Sequence, residues 1–90
     1  MNERDPLLVE RQKTHGSFHD HAHYTQLLKE TLYSCPKYKM LKSEHAESLE
    51  MIAHKIGRIM AGNENFRDHW DDIAGYAKLV ADRLETGKEV

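Results

Sequence analysis

The apolar residues of this chain recur at spacings of three and four, and no segment alternates with a period of two. That pattern commits the chain to amphipathic helices and leaves no candidate for a sheet. One stretch carries Leu49, Ile52, Ala53, Ile56, Ile59 and Met60 on a single stripe. A second carries Trp70, Ile73, Ala77, Val80, Ala81 and Leu84, and a third Tyr24, Leu27, Leu28, Thr31 and Leu32. Between them lie helix starts and stops. Asp5-Pro6 opens a helix predicted from about Pro6 to Thr14, because aspartate accepts from free N–H groups and proline loses no helical bond there. His15-Gly16 breaks it, and Ser17 caps a second helix that ends near Ser34-Cys35-Pro36. Ser43 starts a third, stopped by Gly62-Asn63. Asn65 caps a fourth, and Gly87 closes it. The predicted fold is all-α, a four-helix bundle.

Ninety residues make one domain over 1–90, with an ordered core expected from about 5 to 86. A chain this short buries only roughly 60–65% of the surface its unfolded form exposes, so the bundle is expected to be completed by oligomerisation with copies of itself. A single cysteine, Cys35, makes no internal disulfide, and only Leu7-Leu8-Val9 follows the charged opening, so a cytoplasmic location is expected. The longest apolar run falls far short of the roughly 20 residues of a membrane helix. A formal charge of −2, with basic residues scattered among acids, offers no general attraction for nucleic-acid phosphates.

Candidate chemistry lies beside the stripes. At about 100° per residue, Glu47 and Glu50 share one shoulder of the third helix with His54. Asp68 and Asp72 stand a turn apart on the fourth, beside His69 and Tyr76, while Asp71 projects toward solvent. Two acidic pairs on neighbouring antiparallel helices are the kind of oxygen cluster magnesium uses, with waters and substrate phosphates completing its shell. The bland reading of the same residues is a set of solvated acids, with Glu50 paired to His54 or Lys55. Lys55 and Arg58, a turn apart, suit the neutralisation of phosphate oxygens, or else form an ordinary solvated edge. Gly16 and Phe18 are either a lip for a base, close backbone and stacking ring, or a helix break and a core anchor. In His19-Asp20-His21-Ala22-His23, His19 and His23 share a face and His21 points away, too few ligands for a zinc site. Cys35 reads as a loop thiol with no paired base.

The segments Thr14-His15-Gly16-Ser17-Phe18, Leu49 to Ile59 and Asp68 to Ala77 look like a family of small phage and prophage proteins of unknown function, over about Arg11 to Leu84. More remotely, their order resembles the MazG-like, all-alpha nucleotide pyrophosphohydrolases and the related nucleotide-modification-associated domains. That resemblance implies an oligomeric helical bundle in which magnesium on helix carboxylates helps water split a nucleoside triphosphate. By it, Glu47 and Glu50 match the first acidic pair and Asp68 and Asp72 the second, and all four would hold the metal. His69 stands where the family has a Glu three residues before its Asp. Lys55, Arg58, Phe18 and Tyr76 would then bind the substrate. The implied function is binding or hydrolysis of nucleoside triphosphates in the host cytoplasm. The alternative is a non-enzymatic helical oligomer that sequesters a host protein or a nucleotide signal.

Overall fold

A computed structural model describes residues 6–86, and among these every regular element is helical. The elements are α1 (Pro6–His15), α2 (Phe18–Ser34), a 3-10 turn (Pro36–Met40), α3 (Ser43–Ala61) and α4 (Arg67–Thr86). The expected cap at Asp5 and the closing Gly87 lie outside the described residues. None of the described helices is long and apolar enough to cross a membrane.

The helix ends follow from local chemistry. Ser17 caps α2 by accepting from the Asp20 N–H at 3.0 Å. α2 stops because Pro36 forces Cys35 into extended backbone (φ −79, ψ 125). α3 starts at Ser43 as expected, and α4 starts later than a cap at Asn65 implies. Lys42 is the cap residue of α3, with Ser43 already inside the helix. α4 begins at Arg67, because the Asn63 side chain builds the preceding turn by accepting from the Asn65 N–H at 2.9 Å.

α3 is the spine. α2 and α4 each run along it, antiparallel to it, and share no comparable contact with one another. The partners fix the geometry: α2 meets α3 through Thr25 against Gly57 and Tyr33 against Glu50, and α4 meets it through Tyr76 against Ser48 and Asp72 against Lys55. At about 100° per residue those two contact lines lie roughly 160° apart around α3. The three helices therefore form an open layer rather than a closed bundle, in keeping with extents of 49 × 27 × 20 Å.

The interior is small and unusually polar. Among the described residues the buried apolar side chains are Ala53 and Ile59, whereas His21, Thr25, Ser48 and His69 are buried as well. The faces turned inward differ from the predicted stripes. On α2 they are His21, Thr25, Leu28 and Leu32, with Leu27 half exposed; on α4 they are His69, Ile73, Tyr76 and Val80, with Trp70 and Leu84 each 52% exposed.

α1 is tied to the layer at one knuckle. His69, 1% exposed, donates its Nε2–H to the Thr14 carbonyl at 2.9 Å, and the same carbonyl accepts from the Asn63 N–H at 3.1 Å. Gly16 sits at φ +75, and a Cβ there would lie 1.9 Å from the Ala61 carbonyl oxygen. Only glycine satisfies both that left-handed backbone and that crossing.

Candidate functional site

The polar side of the layer gathers side chains from all three long helices. His21 and Thr25 come from α2 because residues 21, 25, 28 and 32 fall on the face that meets α3. α3 contributes His54, Lys55 and Arg58, and α4 contributes Asp72. The His21 and His54 rings meet edge to face with centroids 4.5 Å apart. Gly57 makes this approach possible, since a Cβ there would fall 2.1 Å from Thr25 Oγ1 and 3.1 Å from His21 Cδ2. His21 Nε2 and Thr25 Oγ1 are buried with no hydrogen-bond partner among the described residues.

The electrostatics of this cluster are set by burial and by the neighbouring Lys55 and Arg58. Burial, then the neighbouring His21, Arg58 and Lys55, push the His54 imidazole down to about 4. Burial, followed by the Arg58 charge, lowers His21 in the same direction. Both rings are therefore neutral near pH 7, and the positive charge is carried by Lys55 and Arg58. Lys55 Nζ lies 2.9 Å from Asp72 Oδ2, the lysine 11% and the aspartate 47% exposed. Its hydrogen bond holds the Asp72 carboxyl below the usual carboxylate range. Phe18 stands 79% exposed at the rim, its ring centroid 6.0 Å from that of His21. It is no core anchor.

The candidate carboxylates are not brought together. Glu50 is turned toward α2 and the 3-10 turn, where it accepts from the Tyr33 hydroxyl at 3.0 Å and from the Tyr38 hydroxyl, with Lys29 Nζ 4.0 Å away. Chiefly through the Tyr38 hydrogen bond its carboxyl is lowered, and the same bond pushes the Tyr38 phenol up to about 12. Its partners are thus neither His54 nor Lys55. Glu47 and Tyr76 lie at the far end of the α3–α4 pair, in an open cleft of about 200 Å³ that Glu44, Leu79 and Arg83 also line. Asp68 is exposed, one turn before Asp72. Asp71 pairs on the surface with Arg67 at 3.2 Å. Among the described residues no group of three or more His, Cys, Asp or Glu side chains is placed to hold a metal ion. With both Glu50 oxygens engaged by phenols, the donor set does not fit a four-carboxylate magnesium cage.

Of the expected substrate-binding residues, the structure brings Lys55, Arg58 and Phe18 to the His21–His54 cluster and leaves Tyr76 at the cleft. His21 and Thr25 were missed because a search for apolar periodicity passes over polar residues; their spacing of four, continued by Leu28 and Leu32, was the available signal. His19 and His23 are exposed, as is Cys35, whose thiol lies 3.4 Å from the Thr31 carbonyl.

Residues 3–84 match the family model DUF6378, described as a domain of unknown function. No curated protein and no solved structure matches the chain.

Proposed function

We propose that this chain, which belongs to the DUF6378 family, is a helical binding module for a small phosphorylated ligand of the nucleotide class. The ligand is taken on the polar side of the α2–α3–α4 layer. The observation that carries the reading is the gathering of Lys55 and Arg58 beside two neutral histidines, His21 buried and His54 half-buried, and an exposed aromatic ring. Arg58 suits a bidentate grip on phosphate oxygens and Lys55 a point charge, released from Asp72 as the anion arrives. Phe18 supplies a stacking face for a base. Unpartnered polar atoms on His21 and Thr25 add groups that a polar ligand or its water would satisfy.

Sequestration of a nucleotide needs no rearrangement of Glu50, whereas MazG-like hydrolysis through Glu47, Glu50, Asp68 and Asp72 needs Glu50 to leave its two tyrosines. Magnesium enters this reading as the counter-ion of the ligand's phosphates. Completion of the fold by further copies is a separate proposal that does not depend on the ligand.

Calorimetric titration with nucleoside mono-, di- and triphosphates, with and without magnesium, tests it. Binding that weakens at least tenfold in Arg58→Ala and falls with added salt is expected. A flat titration across the panel refutes the binding reading. Release of pyrophosphate in the presence of magnesium, lost in Glu50→Gln, replaces sequestration with hydrolysis.

A further inference from the structure

The open layer has a second side, turned away from Arg58, and it is apolar. On α3, Leu49, Ile52, Ile56 and Met60 fall in the middle of the arc left between the α2 and α4 contact lines. Met60 is 67% exposed, and Leu49 is also exposed. On α4 the exposed residues Trp70, Ala74, Ala77, Ala81 and Leu84 repeat at four-three-four-three spacing, which places them on one straight stripe beside the residues that meet α3. Asp72 and Lys55 mark the other edge of the α3–α4 contact, so this stripe and the α3 apolar arc share one side of the layer.

We propose that a second copy of this chain docks on that side, face to face, with α4 crossing α4 antiparallel about a two-fold axis at Ala77. Residues 70 and 84 lie equally far from Ala77, so each Trp70 indole would cover the partner's Leu84, and the three alanines allow the helix axes to approach within about 8 Å.

Three observations select a like copy as the occupant. The first is area. Trp70 to Leu84 spans roughly 21 Å of helix, and three helices side by side are roughly 30 Å wide. That gives roughly 600 Å² per copy and roughly 1,200 Å² in total, which reaches the range of stable interfaces. The second is charge. The stripe is bordered by Arg67–Asp71 at 3.2 Å and Lys78–Asp82 at 3.0 Å, ion pairs closed within one helix. The border is electrically balanced, so an identical surface meets no like-charge repulsion, and no oppositely charged partner is called for. The third is the poverty of the interior, where Ala53 and Ile59 are the buried apolar side chains among the described residues. A domain this size gains what it lacks by association. The inference is independent of the ligand reading, because Lys55, Arg58 and Phe18 take no part in it.

Sedimentation of the full chain, 10.5 kDa per copy, is expected to give a dimer at micromolar concentration. Ala77→Glu sets two carboxylates on the axis and is expected to give a monomer with unchanged helical circular dichroism. Leu79→Glu, on the opposite side of α4, is expected to stay dimeric. Trp70 is the single tryptophan, so its emission should shift to the blue as the unaltered protein is concentrated, a readout that no variant's folding can confuse. A monomer at every concentration overturns the proposal. So does a dimer that Ala77→Glu leaves intact, or one that forms with no change in Trp70 emission.

Discussion

Replacing Gly57 by alanine sets two effects of opposite sign against each other. Within a helix, Gly→Ala gains about 1 kcal/mol of propensity. At Gly57, however, the new methyl would lie 2.1 Å from Thr25 Oγ1 and 3.2 Å from the His21 carbonyl oxygen. The hydroxyl can turn aside. The carbonyl belongs to the α2 backbone, so the helix itself has to retreat by a few tenths of an ångström along its contact with α3. Overpacking of this kind costs about 1–3 kcal/mol, and the carbonyl contact places Gly57 toward the upper end. The expected net loss is about 1–2 kcal/mol, or roughly 5–10 °C in Tm for a domain of this size. Gly75 is the control: it lies in α4, and a Cβ added there would meet nothing within 4 Å, so Gly75→Ala should raise Tm by roughly 4–8 °C. Thermal melts by circular dichroism read both, and Thr25→Ala combined with Gly57→Ala should recover part of the loss through a coupling of about 1 kcal/mol. If Gly57→Ala stabilises the protein as much as Gly75→Ala does, the close α2–α3 approach is wrong.

Two further outcomes follow from the buried histidines. In the unfolded chain a histidine takes up its proton near 6.5, but the native state refuses it at His54 down to about 4. His54 and, in the same direction, His21 therefore leave stability complete above about pH 6.5 and drain it as the pH falls from there toward 4. For His54 alone the full effect is about 3 kcal/mol, which solvent around this half-buried ring reduces to about 1–2 kcal/mol; melts at pH 7.5 and 4.5 should differ accordingly, and His54→Gln should flatten the profile. His69→Phe puts a slightly larger ring in a site closed to water and removes one of the two donors to the Thr14 carbonyl, which keeps the Asn63 N–H, and should cost about 0.5–1.5 kcal/mol. A chemical-denaturation midpoint unchanged in His69→Phe would mean that the knuckle adds nothing to stability.

The helices were legible in the sequence to within a residue or two, because their ends are written in local chemistry: Ser17, Pro36, Gly62. Their faces were less so. On α4 the apolar arc runs from Tyr76 round to Ala74, roughly 160° of the circumference, and one neighbour covers only part of it. Hydrophobicity alone favours Trp70 and Leu84, whereas α3 takes the edge marked by His69 and Tyr76. On α2 two of the inward positions, His21 and Thr25 at the close crossing with Gly57, are polar and look like surface residues in a sequence. The acids show the same limit. Helical spacing put Glu47 and Glu50 on one shoulder, but Tyr33 and Tyr38, which claim Glu50, reach it from other elements. The gathering of Lys55 and Arg58 was readable because both belong to a single turn of α3.

The hydrogen bond from His69 to Thr14 joins positions 55 residues apart, whereas the α2–α3 and α3–α4 pairs are neighbouring antiparallel helices. Closing the longer loop costs more chain entropy than turning either hairpin, and local contacts form first. The His69–Thr14 bond is thus the last tie on α1 to form. On a ribosome that bond waits until α4 has emerged, so a nascent fragment that stops before α4 holds its first helix only through the Asn63–Thr14 hydrogen bond and the Gly16 crossing at the end of α3.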